Sequence, residues 1–143
     1  MKEHDIQKEF FKWIEIMKLE EPILGLIVAN PNSTAGTMPF RTWNYFKQEG
    51  AFKKGYPDVT CPFGSKDGRY TALIIEFKTT KGRVSVEQAD YLNLFAYFGA
   101  LCAVCRDAPS AQDLLMCYIK EELAEDKKKE PPGWEAPFEI CNN

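Results

Sequence analysis

Two carboxylates and one ammonium are the groups in this chain best placed to act together. Asp58 closes the run Gly55-Tyr56-Pro57-Asp58, and Glu76 and Lys78 lie two residues apart at the end of Leu73-Ile74-Ile75-Glu76-Phe77-Lys78. Oxygens from two acids suit a hard divalent cation such as Mg²⁺, which prefers carboxylates and keeps several waters. A lysine beside such an ion can orient or deprotonate a water, while the ion acidifies that water and offsets charge on a phosphate. This is the minimum equipment for metal-assisted phosphodiester hydrolysis.

The elements that must position these groups follow from pattern. Leu73 to Lys78 opens on apolar and β-branched residues, the mark of a buried strand. Side chains alternate along a strand, so Glu76 and Lys78 share one face and Ile75 and Phe77 take the other. Val59-Thr60-Cys61 predicts a short preceding strand, and Gly64-Ser65-Lys66-Asp67-Gly68 the loop that returns it antiparallel. Asp58 then enters the first strand of a hairpin whose second strand carries Glu76. Each half also has an ordinary explanation: Pro-Asp is a common turn dipeptide, and Glu and Lys two apart can form a surface ion pair. The apolar residues ahead of Glu76 argue for burial, and burying charge without a partner or an ion is costly.

Ser85-Val86-Glu87-Gln88 extends the pattern. The ordered succession Gly55-Tyr56-Pro57-Asp58, Glu76-Phe77-Lys78 and Ser85 to Gln88 resembles the VRR-NUC nucleases, a branch of the PD-(D/E)xK superfamily, from about Glu3 to about Lys120. The resemblance implies a DNA nuclease dependent on Mg²⁺ or Mn²⁺, with Asp58 and Glu76 as metal ligands, Lys78 assisting the attacking water and Gln88 joining the site. It also implies an acid on the first helix, for which Glu3 is the best match; the nearby Gln7 is a second candidate. Stand-alone proteins of this kind resemble structure-selective endonucleases, junction resolvases among them, that work as homodimers in replication, recombination or repair and are encoded by phages and bacteria. The competing expectations are a binding module that keeps the fold without the chemistry, and a zinc or redox protein built on Cys102-Ala103-Val104-Cys105.

Composition agrees with one compact domain. The chain has 143 residues, 45% of them hydrophobic and 13% aromatic, enough for a real core. A formal net charge of −3 and a pI near 5.3 sit awkwardly with phosphate contact, which depends on Lys and Arg. The stretch Glu121–Glu135 is dense in acids, however, whereas Arg41, Lys47, Lys53, Lys54, Lys66, Arg69, Lys81 and Arg83 lie near the proposed site in sequence. Five cysteines, an odd number, and no charged-then-apolar leader fit a reduced cytosolic setting, that of a bacterium or a phage-infected host. No stretch is long and apolar enough for a membrane helix. The Cys102 to Cys105 spacing lacks a second pair, and His4 is the only histidine; a small hydrophobe in an apolar strand is the stronger explanation of these cysteines.

Along the chain, Ile6, Phe10, Trp13, Ile14 and Met17 recur at helical spacing and predict an amphipathic first helix. Glu3 at its start is explained by the helix dipole as well as by a metal. Ile23 to Ala29 predicts a buried strand. The polar run Asn30 to Thr37 follows, with Asn30, Ser33 and Thr34 as candidates for backbone phosphate contact. Phe40 to Phe52 predicts a second helix whose Arg41 and Lys47, set among aromatics, suit either a DNA-facing ridge or a core. With Lys53, Lys54, Lys81 and Arg83 these form the candidate nucleic-acid-binding set. Ser85 and Gln88 fit a capping box, and Gly99 stops the helix they begin. This gives Gln88 a structural role with or without catalysis. Leu101 to Arg106 predicts a strand parallel to its predecessor, and Ser110 with Asp113 a last helix from Ala111 to about Leu123. The expected whole is α/β, a restriction-endonuclease-like core with a central mixed β-sheet flanked by helices over residues 1–123. Residues 124–143 are expected to be a polar linker and a short apolar tail.

Overall fold

The computed structural model describes residues 2–30 and 38–120, together with the backbone of Trp134–Glu135. The chain begins with helix α1 (Glu3–Met17), whose first turn is closed by the Lys2 N–H donating to Asp5. Ile6, Phe10 and Ile14 are its buried stripe, with Trp13 and Met17 partly covered beside them.

Ile23 to Ala29 departs from the predicted strand. Pro22–Leu26 forms a 3₁₀ turn, and strand β1 is only Val28–Ala29. Within this segment Leu24 and Ile27 are buried while Ile23, Leu26 and Val28 are exposed. Burial every third residue is the period of a 3₁₀ turn, and Pro22 opens it where a missing N–H costs nothing.

Helix α2 (Phe40–Gln48) is four residues shorter than the predicted 40–52 span. Gly50, at φ 92°, turns the chain out of the helix, with its N–H donating to Lys47 O and that of Ala51 to Phe46 O, both at 3.0 Å. None of its side chains is buried.

The predicted hairpin forms from β2 (Val59–Cys61) and β3 (Leu73–Phe77), antiparallel with Val59 opposite Ile75. The intervening loop is tied by Ser65, whose hydroxyl donates to Asp67 and accepts from the Tyr70 N–H. Helix α3 (Val86–Tyr97) crosses to β4 (Leu101–Cys105), which runs parallel to β3. Helix α4 spans Ala108–Lys120, starting three residues before the predicted Ala111. The cap is Asp107, whose carboxylate accepts from the Ser110 N–H at 2.7 Å; an aspartate after a strand serves as well as the expected serine. Trp134–Glu135 adds an antiparallel edge strand, β5, beside β4, giving the order β1-β2-β3-β4-β5. The rest of the tail and residues 121–123 lie outside the described residues.

Strand alternation divides the core in two. Val59, Cys61, Leu73, Ile75, Phe77, Leu101, Ala103 and Cys105 face α1 and α4, while Ile74, Cys102 and Val104 face α3 through Leu92. Cys102 and Cys105 therefore point to opposite faces of one strand and cannot hold one zinc ion together. No helix among the described residues is long and apolar enough to cross a membrane.

Candidate active site

Four segments of distant sequence meet at one end of the sheet. Lys78 follows β3 directly, its N–H donating to Cys105 O of β4. By alternation Glu76 joins the α3 face, and it is 2% exposed. Asp58 arrives from the start of β2, where its Oδ2 accepts the Phe77 N–H at 2.8 Å. Gly55 brings that acid in: at φ 81° it lies so close to α3 that a Cβ would sit 2.6 Å from Glu87 Cβ and 2.8 Å from the Glu87 carbonyl carbon. Only glycine lets the 55–58 segment press on the first turn of the helix.

Gln88 caps its helix and also reaches Glu76. Its Oε1 accepts the Ser85 N–H at 2.9 Å and its own N–H donates to Ser85 Oγ at 3.2 Å, the capping box expected from sequence. Its Nε2 then donates to Glu76 Oε1 at 2.8 Å. Because the cap claims the amide oxygen, the nitrogen must face Glu76.

The second oxygen, Glu76 Oε2, is buried with no hydrogen-bond partner. Burial raises the Glu76 pKa, to about 9, with the adjacent Asp58 charge and a hydrogen bond between the two carboxyls adding to the rise and Lys78 opposing it. Burial likewise raises Asp58, against the pull of the Phe77 N–H. The two acids thus cannot both ionise easily unless positive charge joins them. Lys78, itself buried, supplies some: its Nζ lies 3.6 Å from Glu3 Oε1 and 4.0 Å from Glu76 Oε1.

Glu3, Gln7 and Asp58, with Lys2, His4 and Thr79, line an open cleft of about 400 Å³. Both candidates from the first helix therefore reach it, and Glu3 is the one paired with Lys78. Among the described residues, no three His, Cys, Asp or Glu side chains gather as a metal-binding group. A partnerless buried carboxylate oxygen beside a second acid nevertheless fits a hard divalent cation that retains waters. Asp58 and Glu76 are the residues that would hold it.

The candidate nucleic-acid contacts differ in their settings. The Asn30 N–H donates to Asp58 O at 2.9 Å, which sets Asn30 beside the acid. Arg41 and Lys47 are exposed on α2, with Lys47 Nζ 4.7 Å from the Trp43 ring centre. Lys53 is exposed after the Gly50 turn, and Lys54 pairs with Glu87 at 3.3 Å. Lys81 and Arg83 are exposed on the segment joining Lys78 to α3. Ser33 and Thr34 lie outside the described residues.

Arg106 is a contributor that sequence reading passed over. Its Nη1 donates to Thr79 O and Gly82 O, each at 2.7 Å, and so shapes the turn after Lys78. That turn packs on the first helix, a Cβ at Gly82 falling 3.3 Å from Glu3 Oε1. The signal would have been an arginine directly after the strand parallel to β3, one residue beyond the Phe77–Cys105 pair.

A mixed sheet with helices on both faces, carrying Asp, Glu-x-Lys and Gln at one end, defines a restriction-endonuclease-like α/β domain. The VRR-NUC domain model matches residues 5–109, well over half of the chain. The chain belongs to the VRR-NUC family of nuclease domains. Among solved structures, a VRR_NUC domain protein superposes with a TM-score of 0.66 at 23% identity, covering 84% of this chain and 89% of its own, a likeness of fold. No curated protein matches the chain.

Proposed function

We propose that this protein is a Mg²⁺- or Mn²⁺-dependent DNA endonuclease that hydrolyses phosphodiester bonds at branched or discontinuous DNA, as a homodimer, in replication, recombination or repair. The observation that carries the chemistry is the buried Glu76–Asp58 carboxyl pair, in which Gln88 pins Glu76 Oε1 while, among the described residues, no other side chain or main-chain group meets Oε2. Such an atom costs stability unless something binds it. A divalent cation supplies Lewis acidity to the phosphate and acidifies water.

The remaining work falls to the chain itself. Asp58 is held by the Phe77 N–H and Glu76 by the Gln88 amide, so both acids are oriented before any ligand arrives. Lys78 Nζ, steadied by Glu3, can donate a hydrogen bond to the attacking water and align it with phosphorus. Lys53, Lys81 and Arg83 on adjacent loops can hold the phosphate backbone. One site per chain suits a two-fold dimer for cutting paired strands.

The test is cleavage of labelled linear, nicked, flap and four-way-junction DNA with Mg²⁺ or Mn²⁺, beside sedimentation over a concentration series. Metal-dependent cutting that favours a discontinuous or branched substrate, by a dimer, is expected. Equal cutting of every form, or a monomer throughout, would contradict the structure-selective, dimeric part of the reading.

A further inference from the structure

Between residues 50 and 55 the backbone enters the left-handed region three times, at Gly50 (φ 92°), Phe52 (φ 61°) and Gly55 (φ 81°). Glycine does so freely, but among the described residues Phe52 is the one side-chain-bearing residue at positive φ. Strain of this kind survives where the surroundings hold it, and it collects at ligand sites. The Phe52 ring meets Phe46 of α2 edge-on at 6.1 Å, and Phe52 also forms part of a pocket wall.

That pocket is an open hollow of about 300 Å³ lined by Asn30, Gly50, Ala51, Phe52, Lys53 and Tyr56. Its size is at the lower end of the range for small-molecule sites. It is joined to Asp58 through the backbone: the Asn30 N–H is bonded to Asp58 O, and Tyr56 precedes Asp58 by two residues. Tyr56 is a braced wall, its ring held edge-on by Tyr91 at 5.3 Å and Phe95 at 5.7 Å. Aromatic rings offer stacking, an asparagine amide offers both a donor and an acceptor to a base edge, and an exposed lysine at the rim offers charge for a phosphate. A base inside a duplex has its faces covered by neighbours and its pairing edge by its complement. An unpaired base has both free.

We propose that this pocket receives one unpaired nucleotide of the DNA substrate and thereby selects bulges, flaps and branch points over continuous duplex. The proposal rests on the nuclease reading above and adds the means of selection. Phe52 and Tyr56 flank the base, Asn30 meets its edge, and Lys53 meets the adjoining phosphate.

The test uses the metal-free protein in EDTA with two duplexes of one sequence, fully paired or carrying a single bulged 2-aminopurine. Expected are binding of the bulged duplex at least about fivefold tighter and a change in 2-aminopurine fluorescence on binding. Phe52→Gly removes the ring while relieving the backbone, so it should fold as well as wild type and lose both effects; Asn30→Ala should reduce the preference. Equal binding of the two duplexes with unchanged fluorescence, or a folded Phe52→Gly that keeps the full preference, would overturn the pocket. Wild-type cleavage of the nicked, flap and four-way-junction DNA with Mg²⁺ separates the two levels. If it persists, the pocket alone has failed, and if wild type neither binds nor cuts DNA, the nuclease reading falls and takes the pocket with it.

Discussion

Glu76 is held by opposing demands. Its burial makes the charged form expensive, and the neighbouring Asp58 makes it more so, which together push its pKa from 4.5 up to about 9. The metal-free folded state therefore keeps a proton that the unfolded chain releases near 4.5, and stability falls as pH rises through that window. Asp58, raised by burial, acts in the same direction. Thermal unfolding of the metal-free protein should accordingly drop from roughly pH 5 to pH 9, and Glu76→Gln should flatten the slope. A divalent cation must displace the proton, so calorimetry near pH 7 in buffers of different ionisation enthalpy should report about one proton released per ion bound. Binding without proton release would place the ion elsewhere. Much of this site was legible locally: alternation alone set Glu76 and Lys78 on one face, and the capping box fixed one end of Gln88. The bond from Gln88 to Glu76 was not, because it depends on how α3 docks on the sheet.

The elements were legible where the signal is local and less so where burial decides. The β2–β3 hairpin, the parallel β4 and the stop at Gly99 follow from alternation, apolar runs and one glycine. Ile23 to Ala29 failed because an apolar run does not reveal its own period: burial of Leu24 and Ile27 alone belongs to a 3₁₀ turn. Arg106 was missed since the register that seats it beside the Lys78 turn is a tertiary fact. Gly55 looked in sequence like part of a motif, and the structure gives the physical reason for it. Gly55→Ala would drive a Cβ into the backbone of α3 at 2.8 Å and force a left-handed alanine. It should cost about 2–4 kcal/mol, visible in the denaturant midpoint, and lower cleavage further by displacing Asp58. A midpoint unchanged from wild type would mean that the 55–58 segment is not pinned against α3.

At the scale of the molecule, a protein of net charge −3 that works on DNA must concentrate its basic groups where the phosphates pass. Lys81 and Arg83 on the turn after Lys78 are exposed and suited to that role. DNA binding should weaken as salt rises, and Lys81→Ala and Arg83→Ala should each reduce the slope of log K against log salt by about one. Unchanged slopes would put the DNA on another face. The central claim is that Asp58, Glu76 and Lys78 form one catalytic unit, and single-turnover cleavage tests it most directly. Asp58→Ala, Glu76→Ala and Lys78→Ala should each slow Mg²⁺- or Mn²⁺-dependent cutting at least about 100-fold while circular dichroism shows the fold retained. A folded Glu76→Ala protein that cuts at the wild-type rate would contradict it.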